Sequence, residues 1–233
     1  SSNIASAGTV PPTTALPEAE VSDVVLLRTA ASLEYNAIDT YELALEAGLL
    51  TGDYAKYADA VKRFRDDHRE HADAVNKLVV ALGGKAHTCA NTRIKNTYLD
   101  PAVALITETD NPDSARDTIA LAHALENIAA QTYQSVVGAL SSPSLRADAM
   151  RIGQDEARHA VVLAQVLNPG HAAVPQTVDA ATGKNNIASV PTAFGSLANV
   201  QLTIGTPNAD GVKTNLILST PSLNSFVYDF VSC

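Results

Sequence analysis

Between Ser22 and Asn168 apolar residues recur at spacings of three and four, the period of helices that each bury one face. The first stretch runs from about Ser22 to Ala47 and stops at Gly48; the second runs from about Asp53 to Leu82 and stops at Gly83 and Gly84. Their short joint predicts an antiparallel hairpin. A third stretch runs from about Asp113 to Leu140, and Ser142 with Pro143 opens a fourth that ends before Pro169 and Gly170. That predicts a second hairpin. Residues 85–112 between them form a long crossover with a short helix expected from Pro101 to Glu108, so the pattern is mainly α, an antiparallel four-helix bundle over residues 19–169.

Outside the bundle the pattern changes. Residues 1–18 hold Pro11, Pro12 and Pro17 among Ser, Thr and Ala, the composition of a flexible leader. In residues 170–233, Val200, Leu202 and Ile204 alternate with polar positions, as do Leu216 and Leu218, with Asp210-Gly211 between them. The pattern fits a small C-terminal β-rich extension packed on the bundle, with a further strand at Phe226 to Val231, or else a tail of isolated strands.

Composition narrows the function classes. Sixteen basic against 25 acidic residues give a formal charge of −9, which disfavours nucleic acid and anionic membrane surfaces as partners. No apolar run reaches the length of a bilayer span, and neither GxxxxGK[ST] nor GxSxG occurs. Cys89 and Cys233 are the only cysteines; a disulfide between them is their simplest use, the alternative being two unrelated buried thiols. Such a bridge would contribute about 4–5 kcal/mol in the loop-entropy picture and would imply an oxidising compartment. With the start at Ser1, this reads as a mature protein, secreted or of the cell envelope.

The two hairpins share segments. LEYNAIDTY (Leu33 to Tyr41) matches LENIAAQTY (Leu125 to Tyr133) at five of nine positions, and DHREHA (Asp67 to Ala72) matches DEARHA (Asp155 to Ala160) at Asp, His and Ala. Two matches in the same order point to a duplicated helical hairpin. Each half supplies one Glu, Glu34 or Glu126, and a pair spaced by three, His68 with His71 or Glu156 with His159. A spacing of three puts both side chains on one helix face, and the apolar stripes of Phe64, Val75 and Leu78 and of Ile152, Leu163 and Val166 direct those faces inward. Carboxylates in a bundle core are costly unless paired or metal-bound, and carboxylate with imidazole suits iron, manganese or zinc.

At these residues the chain resembles the ferritin-like superfamily, in particular the secreted bacterial ferritin-like domain proteins related to the desiccation- and stress-related group; the tail resembles that of actinobacterial members. The resemblance covers about Ser22 to Asn168 and implies a centre of iron or manganese in a ferritin-like four-helix bundle. It implies Glu34 and Glu126 as terminal ligands, His71 and His159 as imidazole ligands and Glu156 as a bridging carboxylate. His68 departs from the pattern, which expects a second bridging Glu there. An imidazole cannot bridge two metals as a carboxylate does, so the site holds two ions with one carboxylate bridge or a single ion. Asp67 or Glu70 are candidate substitutes. Tyr41 and Tyr133 are expected around the ligands, chiefly as packing, and His123, one turn before Glu126, is either a partner of the ligands or an ordinary polar residue.

Two readings stand on the sequence. One is an exported metal-binding protein, which as an enzyme would be a metal-dependent oxidoreductase acting on oxygen or peroxide. The other is a metal-free scaffold, its carboxylates and imidazoles forming a charge-balanced network, that binds a protein partner through the tail. A homo-oligomer fits either, although the long extension fits poorly inside a storage cage.

Overall fold

The computed structural model describes residues 22–169, 177–178, 185–186 and 200–218. The expected leader, Cys233 and the strand at Phe226 to Val231 lie outside the described residues. Helices α1 (Asp23–Glu46), α2 (Ala58–Ala81), α5 (Ser114–Val137) and α6 (Pro143–Leu167) form the bundle. The crossover carries α3 (Thr92–Ile94) and α4 (Asp100–Ile106). α1 packs along α2 and α5 along α6, while α1 meets α5 and α2 meets α6, closing a ring of four.

The ends follow local chemistry. Ser22 and Ser142 cap α1 and α6, accepting from the backbone N–H of Val25 and Leu145 at 3.3 Å each, and Pro143 occupies the first turn of α6. The second long helix begins later than its apolar period suggests, because Gly52–Tyr57 winds as a 3-10 turn before Ala58. In the crossover the helical path begins nine residues earlier than Pro101: Asn91 caps Thr92, and Lys95–Leu99 forms a π turn. Pro101 has no N–H to give to a preceding carbonyl, and a wider turn just ahead of it accommodates that loss.

Two apolar layers lie in the bundle at different heights. One joins Leu26, Leu27, Val75, Val79, Val136 and Ile152; the other joins Tyr41, Val61, Phe64, Ile119 and Leu163. Each fully buried Leu, Ile or Val in these layers contributes about 1.5–3 kcal/mol relative to exposure. On each long helix buried Glu or His residues fall between the two layers: Glu34 on α1, His68 and His71 on α2, Glu126 on α5, Glu156 and His159 on α6.

One hairpin of the extension packs on the bundle. Strands β3 (Val200–Ile204) and β4 (Thr214–Leu218) pair antiparallel with Leu202 opposite Leu216; β1 (Thr177–Val178) and β2 (Asn185–Asn186) form a second short pair. Gly211 turns the β3–β4 hairpin with φ of 77°. Leu202, Ile204, Leu216 and Leu218 bury against Tyr98, Leu99, Ile106, Leu121 and Ala124, so the apolar face of the hairpin is used by the bundle itself. A polar clamp adds to it. Asp117, wholly buried on α5, accepts from the Gly205 N–H at 2.9 Å, from Asn111 Nδ2 at 3.1 Å and from Lys213 Nζ at 2.9 Å.

Candidate metal centre

The six Glu and His residues expected to converge do so, each at most 6% exposed. His68 lies at the middle. Its Nδ1 is 2.7 Å from Glu34 Oε2 and its Nε2 is 3.1 Å from Glu126 Oε1. His71 Nδ1 is 2.9 Å from Glu156 Oε1, and His159 Nδ1 is 3.3 Å from Glu126 Oε2. The donors fall into two groups with metal-site spacing: Glu34, His68, His71 and Glu156, and His68, Glu126, Glu156 and His159. His68 and Glu156 belong to both.

The duplication read from the sequence reappears as reciprocal contacts. Tyr133 donates its hydroxyl to Glu34 Oε1, and Tyr41 donates to Glu126 Oε1, so each half's tyrosine holds the other half's carboxylate. The tyrosines are thus more than packing. Gly153 lets α6 approach this point, since a Cβ there would lie 3.0 Å from Cβ of Tyr133. Asp155 faces His71 Nε2 at 3.4 Å, and Asp67 faces His159 Nε2 at 3.2 Å. Phe64 stacks on the His159 ring with centroids 4.1 Å apart. A carboxylate on the outer nitrogen of a ligating histidine fixes ring orientation and tautomer.

Other expectations are corrected. Asp67 is not a substitute ligand: it meets the outer nitrogen of His159 and belongs to neither donor group. Glu70 is exposed. His123, not expected as a ligand, lies outside both donor groups and receives Asn127 Nδ2 at 3.0 Å on its own helix. Asp67 and Asp155 escaped the sequence reading in their actual role, although the signal was present as the shared Asp of DHREHA and DEARHA.

Charge within the cluster is strongly polarised. Burial pushes the Glu34 carboxyl up, but hydrogen bonds and charges from His68 and His71 outweigh it and hold it down at about 2. Burial likewise works against charging His71 and His159, yet the carboxylates of Glu156 and Glu34 beside the one, and of Glu126 and Glu156 beside the other, raise them to about 10 and about 9. Burial pushes Glu156 up. Its Oε2 is buried without a hydrogen-bond partner, 3.5 Å from His159 Nδ1, a position that leaves a lone pair directed into the second donor group. Two oxygen and two nitrogen donors per group, with one orphaned carboxylate oxygen, fit a divalent cation that accepts both carboxylate and imidazole, such as iron, manganese or zinc.

On the α1 and α5 side a cavity of about 50 Å³ reaches Glu34, His68 and Glu126, walled by Leu33, Ile94 and Ile128. The crossover that supplies Ile94 is tied to α1 by Asn91 and Asn36, with Asn91 N–H donating to Asn36 Oδ1 at 2.7 Å. Among the described residues no helix is long and apolar enough to cross a membrane.

No curated protein and no solved structure matches the chain. A family model described as a ferritin-like domain matches residues 22–169, from the cap of α1 to just past the end of α6. Over these residues the chain belongs to the ferritin-like domain family.

Proposed function

We propose that this is an exported ferritin-like protein whose bundle holds iron or manganese, as two ions, on Glu34, His68, His71, Glu126, Glu156 and His159. The observation that carries the reading is Glu156 Oε2, wholly buried and without a hydrogen-bond partner at the junction of the two donor groups. Leaving such an atom unpaired costs about 1–3 kcal/mol, which a bound cation removes. Iron or manganese there would supply one-electron chemistry toward oxygen or peroxide.

The chain's own part is to hold and to exclude. Tyr41 and Tyr133 keep their protons, because burial and the neighbouring carboxylates raise both hydroxyls well above the ordinary value, and each fixes one oxygen of Glu126 or Glu34. Asp67 and Asp155 aim the imidazoles, and the apolar layers on either side keep bulk water out. The cavity beside Glu34 and Glu126 admits a molecule of about water size, in line with a small oxygen species as the reactant. Export rests on the proposed Cys89 to Cys233 bridge; failure of both thiols to alkylate in the native oxidised protein would support it.

A second reading has its own observation. Glu34 Oε2 and His68 Nδ1, 2.7 Å apart, already form a close charged pair, as a metal-free network would require, and a partner-binding scaffold would follow. Reconstitution separates the two. Adding Mn(II) to chelator-treated protein at about 100 times its dissociation constant should add about 2.7 kcal/mol of stability. That should raise Tm by about 5–10 °C. An unchanged Tm with Mn(II), Fe(II) and Zn(II) favours the network.

A further inference from the structure

We infer that His68 bridges the two metal positions as an imidazolate, one ion on each ring nitrogen, and so replaces the second bridging carboxylate with a wider link. The inference rests on the metal-binding reading above and concerns which atoms join the two ions.

The geometry divides by atom. On one side, His68 Nδ1 lies 2.7 Å from Glu34 Oε2 and 3.6 Å from Glu156 Oε1, and that oxygen is 2.9 Å from His71 Nδ1. On the other, His68 Nε2 lies 3.1 Å from Glu126 Oε1; Glu126 Oε2 is 3.3 Å from His159 Nδ1, and His159 Nδ1 is 3.5 Å from Glu156 Oε2. Each group therefore takes one nitrogen of His68 and one oxygen of Glu156. The two lone pairs of an imidazole diverge in the ring plane, so a single ion cannot use both.

Filling both groups with all four of their donors puts one ion on each ring nitrogen of His68. An N–H of His68 directed at a cation is repulsive, and both ring nitrogens face carboxylates, so the first ion displaces the proton of the nitrogen on its side, which leaves to solvent. When the second group fills, the remaining N–H proton is displaced by the second ion and leaves to solvent, with no change of oxidation state. The ring has little room to avoid this. His68 is 1% exposed, and Tyr41 stacks with it at a centroid distance of 5.6 Å. With metal–nitrogen bonds of about 2.0–2.1 Å on opposite edges of the ring, the ions would lie about 6 Å apart. Carboxylate-bridged two-metal sites hold their ions about 3.5–4 Å apart. At the wider separation the ions are linked through the ring and cannot share one small ligand atom between them.

The test uses the full chain, freed of metal and loaded with Zn(II) for crystallography or Cu(II) for electron paramagnetic resonance. Two zinc positions should flank the His68 ring at about 6 Å, and the copper signal should fall as the second equivalent binds, because imidazolate couples the two spins antiferromagnetically. His68→Glu should keep two ions and bring them to about 3.5–4 Å. His68→Ala should bind about one ion fewer or lose the coupling. Two coppers giving simply additive signals, or coupling unchanged in His68→Ala, would overturn the bridge and leave the metal reading intact, whereas a single ion bound to the wild-type chain would overturn the bridge and the two-ion form of that reading. Failure of the wild-type chain to take up zinc or copper in stoichiometric amount would overturn both. Should the variants fail to fold, the wild-type zinc positions decide the matter alone.

Discussion

His71 Nε2 lies 3.4 Å from Asp155 Oδ2, across the interface between the second and fourth bundle helices, while His71 Nδ1 points inward to Glu156. Its counterpart is the 3.2 Å contact of His159 Nε2 with Asp67. Asp67 precedes His68, and Asp155 precedes Glu156, so each half of the duplicated sequence orients the other half's imidazole. Arginines 63 and 158 on the same helices in turn pair with Asp67 and Asp155.

The two aspartates should therefore behave alike. Asp67→Asn and Asp155→Asn are each expected to weaken metal affinity by about 10–100-fold while the protein stays folded, measured by competition with a chromophoric chelator. An effect confined to one of the two would contradict the reciprocal arrangement.

The pH dependence of the metal-free protein follows from the shifted groups. His71 and His159 rise from 6.5 to about 10 and about 9, so the stability they contribute is fully present below 6.5 and is lost as pH rises through 9 to 10. Glu34 falls from 4.5 to about 2, so its contribution is present above 4.5 and is lost as pH falls through 2. The urea midpoint of metal-free protein should be highest between 4.5 and 6.5 and lower at about pH 9.5. Metal affinity should move the opposite way above pH 6.5, since ions compete with the imidazole protons. A metal-free stability that keeps rising toward pH 9.5 would contradict these assignments.

How much of this could be read from the chain depends on whether the signal is local. Glu34, His68, His71, Glu126, Glu156 and His159 were legible because helical period fixes which face a residue occupies, and duplication shows the same face twice. The actual starts of the second long helix and of the crossover helix were not, because a 3-10 or π turn leaves the apolar period nearly unchanged. His123 shares a face with Glu126 yet meets Asn127, since period fixes direction only to within a broad stripe. The Asp117 clamp was invisible for a different reason: Asp117, Gly205 and Lys213 lie on elements far apart in sequence, and each residue alone looks like ordinary surface.

That clamp carries its own prediction. Asp117→Ala removes the acceptor of the Gly205 N–H, Asn111 amide and Lys213 ammonium together, while Lys213 retains Asp113 at 2.9 Å. The expected loss is about 2–3 kcal/mol in urea unfolding, with hydrogen exchange rising first in Val200–Ile204 and Thr214–Leu218. Unchanged protection of that hairpin would show that its apolar face alone holds it.

The most direct measurement is the metal content of protein purified without chelator, wild type beside Glu156→Gln, which keeps the side-chain shape. Wild-type chains should carry about two equivalents of iron or manganese, with most of it lost from a variant that still melts cooperatively. Wild-type protein that binds no metal even after reconstitution, or a Glu156→Gln variant that holds as much as wild type, would contradict this expectation.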